Sequence, residues 1–444
     1  MSGTVRRLLA ALVVSSAACG PVSPPRPTAP PRPEPVVRTL VLMLDGVPFE
    51  VMDSLRRAGL FREFRPPSRV ISPFPALTRV AFGSIWHEPP SPGYEDRYFD
   101  LVENRVEGGL MDHLFVPAEH AGFQRHVEVR TGELAGGLAY LFPEPVARHE
   151  LRELRTAVFG RAAYDTTIVA YVVSTDALAH RAGRDALSRF LTELDGLLGE
   201  FRSHFGPDFR IILFSDHGNE LMPSRRIPLE EVLERAGFHI ADRLERDDDV
   251  VIPGFGLVGS AFLYSMPAAE ARLASALRAA PGVELVVFED AVGRIHVWSR
   301  HGRAIIEGDP GGARMRYAPI EGDPLGLAPA LARMQRAGVA DARGFAPDSA
   351  WLRASLGTPY IDAVRRILVG MRGLVRHTAS IVVSFAPGYH YGNRAADLVV
   401  DVTGTHGSLR TASALAFLMS TEGQTPAMLR SDQLLEYLPE GVVR

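Results

Sequence analysis

TLVLMLDG, residues 39–46, is an almost unbroken apolar run that stops at an aspartate and a glycine. A run that short, continuous rather than alternating, suits a strand covered on both faces in a parallel sheet. Three further stretches read alike: TIVAYVVS at 167–174, RIILFS at 210–215 and DLVVDV at 397–402. Between them lie segments with apolar residues at three- and four-residue steps, such as RDALSRFLTELDGLLGEFRSH at 184–204, which suit amphipathic helices. Strand and helix in alternation predict an α/β fold, with a mostly parallel central sheet flanked by helices.

The pattern loosens after residue 223. Helix-like stretches at 229–236 and 268–280 are followed by strand-like ones at 283–288 and 295–299, and glycine and proline at 309–312 and 322–327 mark loops. Such a mixture between two core strands predicts an inserted α+β cap over 224–380, with the catalytic core supplied by 36–223 and 381–444. No internal repeat stands out in the sequence.

The amino terminus has a different character. Arg6 and Arg7 precede an apolar run from Leu8 to Val14, and small residues lead into Cys19, the layout of a secretory signal over 1–19. The run is too short to span a bilayer as a helix. Ser16-Ala17-Ala18-Cys19 resembles a bacterial lipoprotein cleavage site, departing from it at Ser16, where leucine or a similar residue is usual. Residues 20–35 are proline-rich and suit an extended tether. The expectation is an exported protein in the bacterial envelope, periplasm or outer membrane, touching membrane only through a lipid on Cys19.

Composition removes whole classes of chemistry. With 46% hydrophobic and 23% charged residues the chain can bury a sizeable core, and a net charge of −4 offers nucleic acid no electrostatic reason to bind. The expected partner is a small substrate. Every one of the 48 basic residues is arginine; without lysine there is no Schiff-base catalysis and no P-loop. The single cysteine excludes an internal disulfide and a thiolate zinc site, so any metal is held by oxygen and nitrogen.

The residues just after each apolar run are the informative ones. Asp45-Gly46 comes after the first, Thr175-Asp176 with His180 after the second, Asp216-His217-Gly218 after the third, and Gly404-Thr405-His406-Gly407 after the fourth. In open α/β sheets ligands bind beyond the carboxyl ends of strands, so residues scattered in sequence can meet in one crevice. Three aspartates and three histidines make a ligand set for zinc or a similar divalent ion, with donors enough for two. Two such ions about 4 Å apart can hold the attacking and leaving oxygens of a displacement at phosphorus. The loop SPFPALTRVAFGSI at 72–85 offers the nucleophile, Thr78, at a point where an extended stretch can begin a helix.

These residues carry a resemblance. LDG at 44–46, FPALT at 74–78, D-x-x-x-H from Asp176 to His180 with Gly183, SDHG at 215–218 and GTHGS at 404–408 occur in an order similar to that of the alkaline phosphatase superfamily, in its type I phosphodiesterase and nucleotide pyrophosphatase branch. The resemblance spans about residues 36–411 and implies an alkaline phosphatase-like core. It implies two metal ions, zinc or manganese, with Asp45, Thr78, Asp216 and His217 around one and Asp176, His180 and His406 around the other. It further implies hydrolysis of a phosphate ester through a covalent phosphothreonine at Thr78.

Competing readings share these residues. Phosphate monoesters, phosphonates or sulfate esters could be cut by the same metals, although the C/S-x-P-x-R pattern of formylglycine sulfatases does not occur at 74–78 and no G-x-S-x-G elbow exists. A non-catalytic metal-binding surface lipoprotein is the reading from another class. His301 and His390 compete with His406 as a ligand, whereas His87, His113, His120, His126 and His149 read as structural or exposed. Arg79, Phe82, Trp86 and Tyr389 are candidates for substrate contact.

Overall fold

The computed structural model describes residues 36–109, 122–131, 138–309, 312–397 and 400–443. The signal and tether expected at 1–19 and 20–35 lie outside the described residues, as do His113 and His120. Among the described residues no helix is long and apolar enough to cross a membrane.

The core opens with strands β1 (Thr39–Leu44), β2 (Ser68–Ile71), β3 (Val129–Arg130), β4 (Thr167–Val172) and β5 (Arg210–Ser215). Helices α1 (Phe49–Arg57), α2 (Thr78–Ile85), α3 (Pro143–Arg161) and α4 (Ser174–Phe205) accompany them. An insertion then builds β6 (His239–Ile240), β7 (Asp249–Val251), β8 (Ser260–Ser265), β9 (Val283–Glu289), β10 (Ile295–Ser299), β11 (Gly302–Gly308), β12 (Arg314–Gly322), β13 (Phe345–Pro347) and β14 (Ile381–Phe385). Its helices include α5 (Leu229–Arg235), α6 (Glu270–Ala279), α7 (Ala328–Arg336), α8 (Asp348–Ser355) and α9 (Ala363–Gly370). The chain returns to the core as β15 (Leu415–Ser420) and β16 (Met428–Arg430).

The core sheet runs β16-β2-β15-β5-β1-β4-β3. From β5 to β3 its strands are parallel, and β15 is antiparallel to both of its neighbours. The continuous apolar character of β1 has its physical reason here. Leu40, Leu42 and Leu44 pack with α1, α3 and α4 on one face, while Val41 and Met43 pack with Phe82, Ile85 and Trp86 of the α2 region on the other. The inserted sheet, β13-β12-β11-β10-β9-β14-β8-β7-β6, is antiparallel apart from the β6/β7 pair. One face is covered by α5 and α6. The other shares a hydrophobic cluster with Phe74, Leu77 and Val80, so the segment around Thr78 is clamped between core and insertion.

Two expectations are corrected. The described residues of DLVVDV form no buried strand: Arg394–Asp397 is a short helix, and residues 400–402 have no regular structure. The sheet position beside β5 belongs instead to β15, whose LAFLMS is more apolar and carries no charge. The loop around Val402 is held elsewhere, its carbonyl accepting from the Ser224 amide and the Thr403 amide reaching His180 O at 2.7 Å. The second difference is at the boundary drawn after residue 380: Ile381–Phe385 forms β14, in the middle of the inserted sheet.

Candidate active site

Register brings the scattered residues together. Leu44 pairs with Val172 on β4 and with Ser215 on β5, so three parallel strands end level and release their loops at one edge. Asp45, Asp216 and His217 come immediately after, and Asp176 and His180 occupy the first turns of α4. Gly46 turns the chain with φ +63°, and a Cβ there would lie 2.3 Å from Asp176 Oδ1, so only glycine allows Asp176 this close. Thr78 is the first residue of α2, after an extended Leu77. His406 comes from the Gly404–Ser408 loop, whose Thr405 carbonyl accepts from the Glu220 amide at 2.8 Å.

All six candidate ligands other than Thr78 are buried. The Thr78 hydroxyl donates to Asp45 Oδ1 at 3.1 Å and lies 3.2 Å from His217 Nε2. His217 Nε2 is 3.4 Å from Asp216 Oδ2 and 3.6 Å from Asp45 Oδ1. Asp176 stands 3.4 Å from His180 Nε2 through Oδ2 and 3.7 Å from His406 Nε2 through Oδ1. The His217 and His406 rings stack with centroids 3.8 Å apart. Asp45, Asp216 and His217 can offer ligand atoms within 4.8 Å of one another, and so can Asp176, His217 and His406. His217 therefore reaches both groups, and His180 sits at the outer side of the second.

The donor set fits divalent cations. His217 Nδ1 lies 2.9 Å from Gly218 O, and His406 Nδ1 lies 2.8 Å from Ala76 O. A carbonyl can only accept, so each Nδ1 carries the proton and each Nε2 presents its lone pair to the cluster. Asp176 Oδ1 and Asp216 Oδ2 are buried with no hydrogen-bond partner among the described residues, the state of carboxylate oxygens that lack a cation. Burial and the neighbouring Asp216 and Asp176 raise Asp45 well above its ordinary value, and burial pushes Asp216 up to about 8. Burial acts in the same sense on Asp176, yet His180, His406 and His217 hold it below its ordinary value. Burial also pushes His180 down to about 4 and lowers His217 strongly, leaving both imidazoles neutral as ligands must be.

Two tyrosines join the cluster that the motifs do not mark. Tyr171, on β4, donates its hydroxyl to Asp45 Oδ2. Tyr140 has more than a third of its surface exposed, but its hydroxyl reaches Asp176 Oδ2 at 2.7 Å and its ring stands against His180. A tyrosine inside an otherwise apolar buried run is the one signal in the sequence for Tyr171; Tyr140 has none.

The other candidates lie elsewhere. His390 is buried between Ser224 Oγ at 2.8 Å and Asp397 Oδ1 at 2.9 Å, and His301 sits exposed in the β10–β11 turn. His126 is buried against Glu88, His87 reaches Asp432 O, and His149 is exposed. Arg79 pairs with Asp96. Phe82 and Trp86 are core residues, Trp86 stacking on His126, so neither faces a substrate. Tyr389 is partly buried beneath Arg225.

Residues 115–307 match the family described as type I phosphodiesterase / nucleotide pyrophosphatase. That stretch contains Asp176, His180, Asp216 and His217 and leaves Asp45, Thr78 and His406 outside it. No curated protein matches the sequence. Among solved structures, human ectonucleotide pyrophosphatase/phosphodiesterase 5 aligns at 11% identity over 90% of this chain and 93% of its own, with a TM-score of 0.48. Phosphonoacetate hydrolase from Sinorhizobium meliloti 1021 aligns at 12% identity over 91% and 96%, with a TM-score of 0.49. Residues 115–307 are thus similar to the type I phosphodiesterase / nucleotide pyrophosphatase family, and the fold draws the motifs inside and outside that stretch to one sheet edge.

Proposed function

We propose that this protein is an exported two-metal hydrolase of phosphate diesters that works through a phosphothreonine on Thr78. The observation that carries the reading is the Thr78 hydroxyl, 3.1 Å from Asp45 Oδ1 and 3.2 Å from His217 Nε2, at the centre of a buried acid and imidazole cluster. Asp45, Thr78, Asp216 and His217 would hold one cation and Asp176, His180 and His406 the other. Two divalent cations, zinc or manganese, would acidify the Thr78 hydroxyl and offset negative charge on the phosphoryl oxygens.

The chain's own groups then have definite tasks. Thr78 Oγ1 gives up its proton, for which Asp45 Oδ1 is the acceptor in reach, and attacks phosphorus from the α2 N-terminus. The bond from phosphorus to the departing alcohol breaks as the threonine ester forms. Water then cleaves that ester, returning Thr78 and releasing a phosphate monoester. The arginines beside the cluster favour a singly charged diester over a doubly charged monoester. Arg79 is turned to Asp96, and Arg181 to the carbonyls of Tyr140 and Asp401.

The test is turnover of matched nitrophenyl diester, monoester and sulfate by metal-loaded protein. The diester is expected to be fastest. Thr78→Ala is expected to lower kcat on it at least about 1,000-fold while bound metal stays within a factor of two. A Thr78→Ala protein with full turnover overturns the nucleophile, and a strong monoester preference overturns the substrate class. Export with a lipid on Cys19 belongs to the same proposal; mass spectrometry of the mature protein retaining Met1 overturns it.

A further inference from the structure

The segment that delivers Thr78 is pinned from the side of the insertion by one buried cation. Arg366, on α9, is 3% exposed. Its Nε donates to Ser72 O at 2.8 Å and its Nη2 to Pro73 O at 3.2 Å. Its Nη1 donates to Leu409 O at 2.7 Å and to Ile361 O at 3.3 Å. The carbonyls of Ser72 and Pro73 open the stretch that ends at Thr78, and that of Leu409 closes the loop that carries His406.

Three details give the arrangement direction. No carboxylate takes part in these bonds: Asp362, which precedes the helix and attracts Arg366 electrostatically, accepts its hydrogen bonds from Arg430. A buried guanidinium spent on four carbonyls fixes backbone in place, because its planar fork sets all four directions at once. One turn on, a Cβ on Gly370 would lie 2.0 Å from Phe74 O, so the helix backbone itself abuts the same segment. On the opposite side His406 Nδ1 holds Ala76 O at 2.8 Å. The nucleophile segment and the His406 loop are thus tied to each other directly and through Arg366.

We propose that Arg366 is a positioning residue: it keeps the Thr78 segment and the His406 loop in one fixed relation, so that the inserted domain sets the geometry of the catalytic cluster. The inference rests on the roles proposed for Thr78 and His406. A misplacement of about 1 Å at a reacting group can lower a rate about 100-fold, which is the scale expected here.

The experiment uses the full-length, metal-loaded protein with Arg366→Lys and Arg366→Ala. Arg365→Gln is the control, since Arg365 sits on the same helix and reaches Asp432 Oδ2 at 3.0 Å. On a nitrophenyl diester, Arg366→Lys is expected to lose about 100-fold in kcat with KM within about threefold, and Arg365→Gln to match the native protein. Added guanidinium is expected to restore part of the Arg366→Ala rate and none of the Thr78→Ala rate, because a cleft lined by Ser72, Pro73, Asp362 and Arg430 leads to the Arg366 position. Independently of turnover, amides in 72–82 and 404–413 of Arg366→Lys are expected to exchange at least about tenfold faster together, with 283–306 unchanged. Native-like kcat, or faster exchange confined to 361–370, overturns the proposal. If the native protein turns over no phosphate ester, the functional reading falls and the exchange result alone decides the role of Arg366.

Discussion

At the scale of single residues, the cluster depends on which groups donate to the acids. Asp45 accepts from Thr78 and from Tyr171, and both bonds favour the carboxylate that burial and two neighbouring aspartates oppose. Tyr171→Phe removes one of them without touching Thr78. Metal affinity is expected to fall about 10- to 100-fold, as for other groups that hold a ligand in place. Competition with a chromogenic chelator measures it, and unchanged affinity shows that Tyr171 is packing alone. The sequence revealed Asp45, Asp216 and His217 because each comes directly after an unmistakable apolar run. It concealed Tyr171 and Tyr140, whose value lies in where a hydroxyl ends up at the far end of a long side chain, a matter of tertiary packing.

At the scale of elements, the first turn of α4 is the most heavily supported part of the site. Glu150, buried on α3, accepts from the Ser174 amide at 3.0 Å, the Val173 amide at 3.3 Å and the hydroxyls of Ser174 and Thr131. A carboxylate there satisfies amides that a helix start leaves unpaired and meets the positive end of the helix dipole. Thr175 Oγ1 adds a bond to Asp45 O at 2.6 Å, tying this turn to the end of β1. Glu150→Ala is expected to lower stability by about 2–4 kcal/mol, through buried donors left without acceptors. It is also expected to weaken metal binding about tenfold, since Asp176 belongs to that turn. Urea denaturation and chelator competition read the two effects, and a stable variant with native metal affinity contradicts both. The elements are legible where apolar runs end in acids. They are less legible at 397–402 and 415–420, where DLVVDV carries two aspartates that LAFLMS lacks and strand pairing selects the more apolar run.

At the scale of the molecule, the site is a concentration of buried acids and imidazoles that bound cations would resolve. Asp216, pushed up to about 8, and Asp45, raised well above its ordinary value, keep protons in the folded apo-protein that the unfolded chain has already lost above about pH 4. Their contribution to stability therefore falls as pH rises toward 8. His180 and His217 act oppositely below their unfolded value of 6.5, where the unfolded chain gains protons the fold refuses. The carboxylate effect stands alone between pH 6.5 and 8. Chelated protein is expected to lose melting temperature across that window, whereas zinc-loaded protein keeps the shallower slope of Glu95 and Glu270, which burial raises to about 8 and about 7. Thermal melts at three pH values in the window, with and without chelator, decide this; parallel slopes contradict it.

The sequence by itself determined the α/β class, the places where β1, β4 and β5 stop, and the acids and imidazoles that follow them, because apolar continuity and residue chemistry are local properties. Tertiary structure alone decided that β15 rather than 397–402 fills the sheet, that Tyr171 and Tyr140 serve the acids, and that an arginine of the insertion holds the Thr78 segment. Those outcomes are fixed by which distant surfaces fit together, and no window of sequence contains both halves of such a fit.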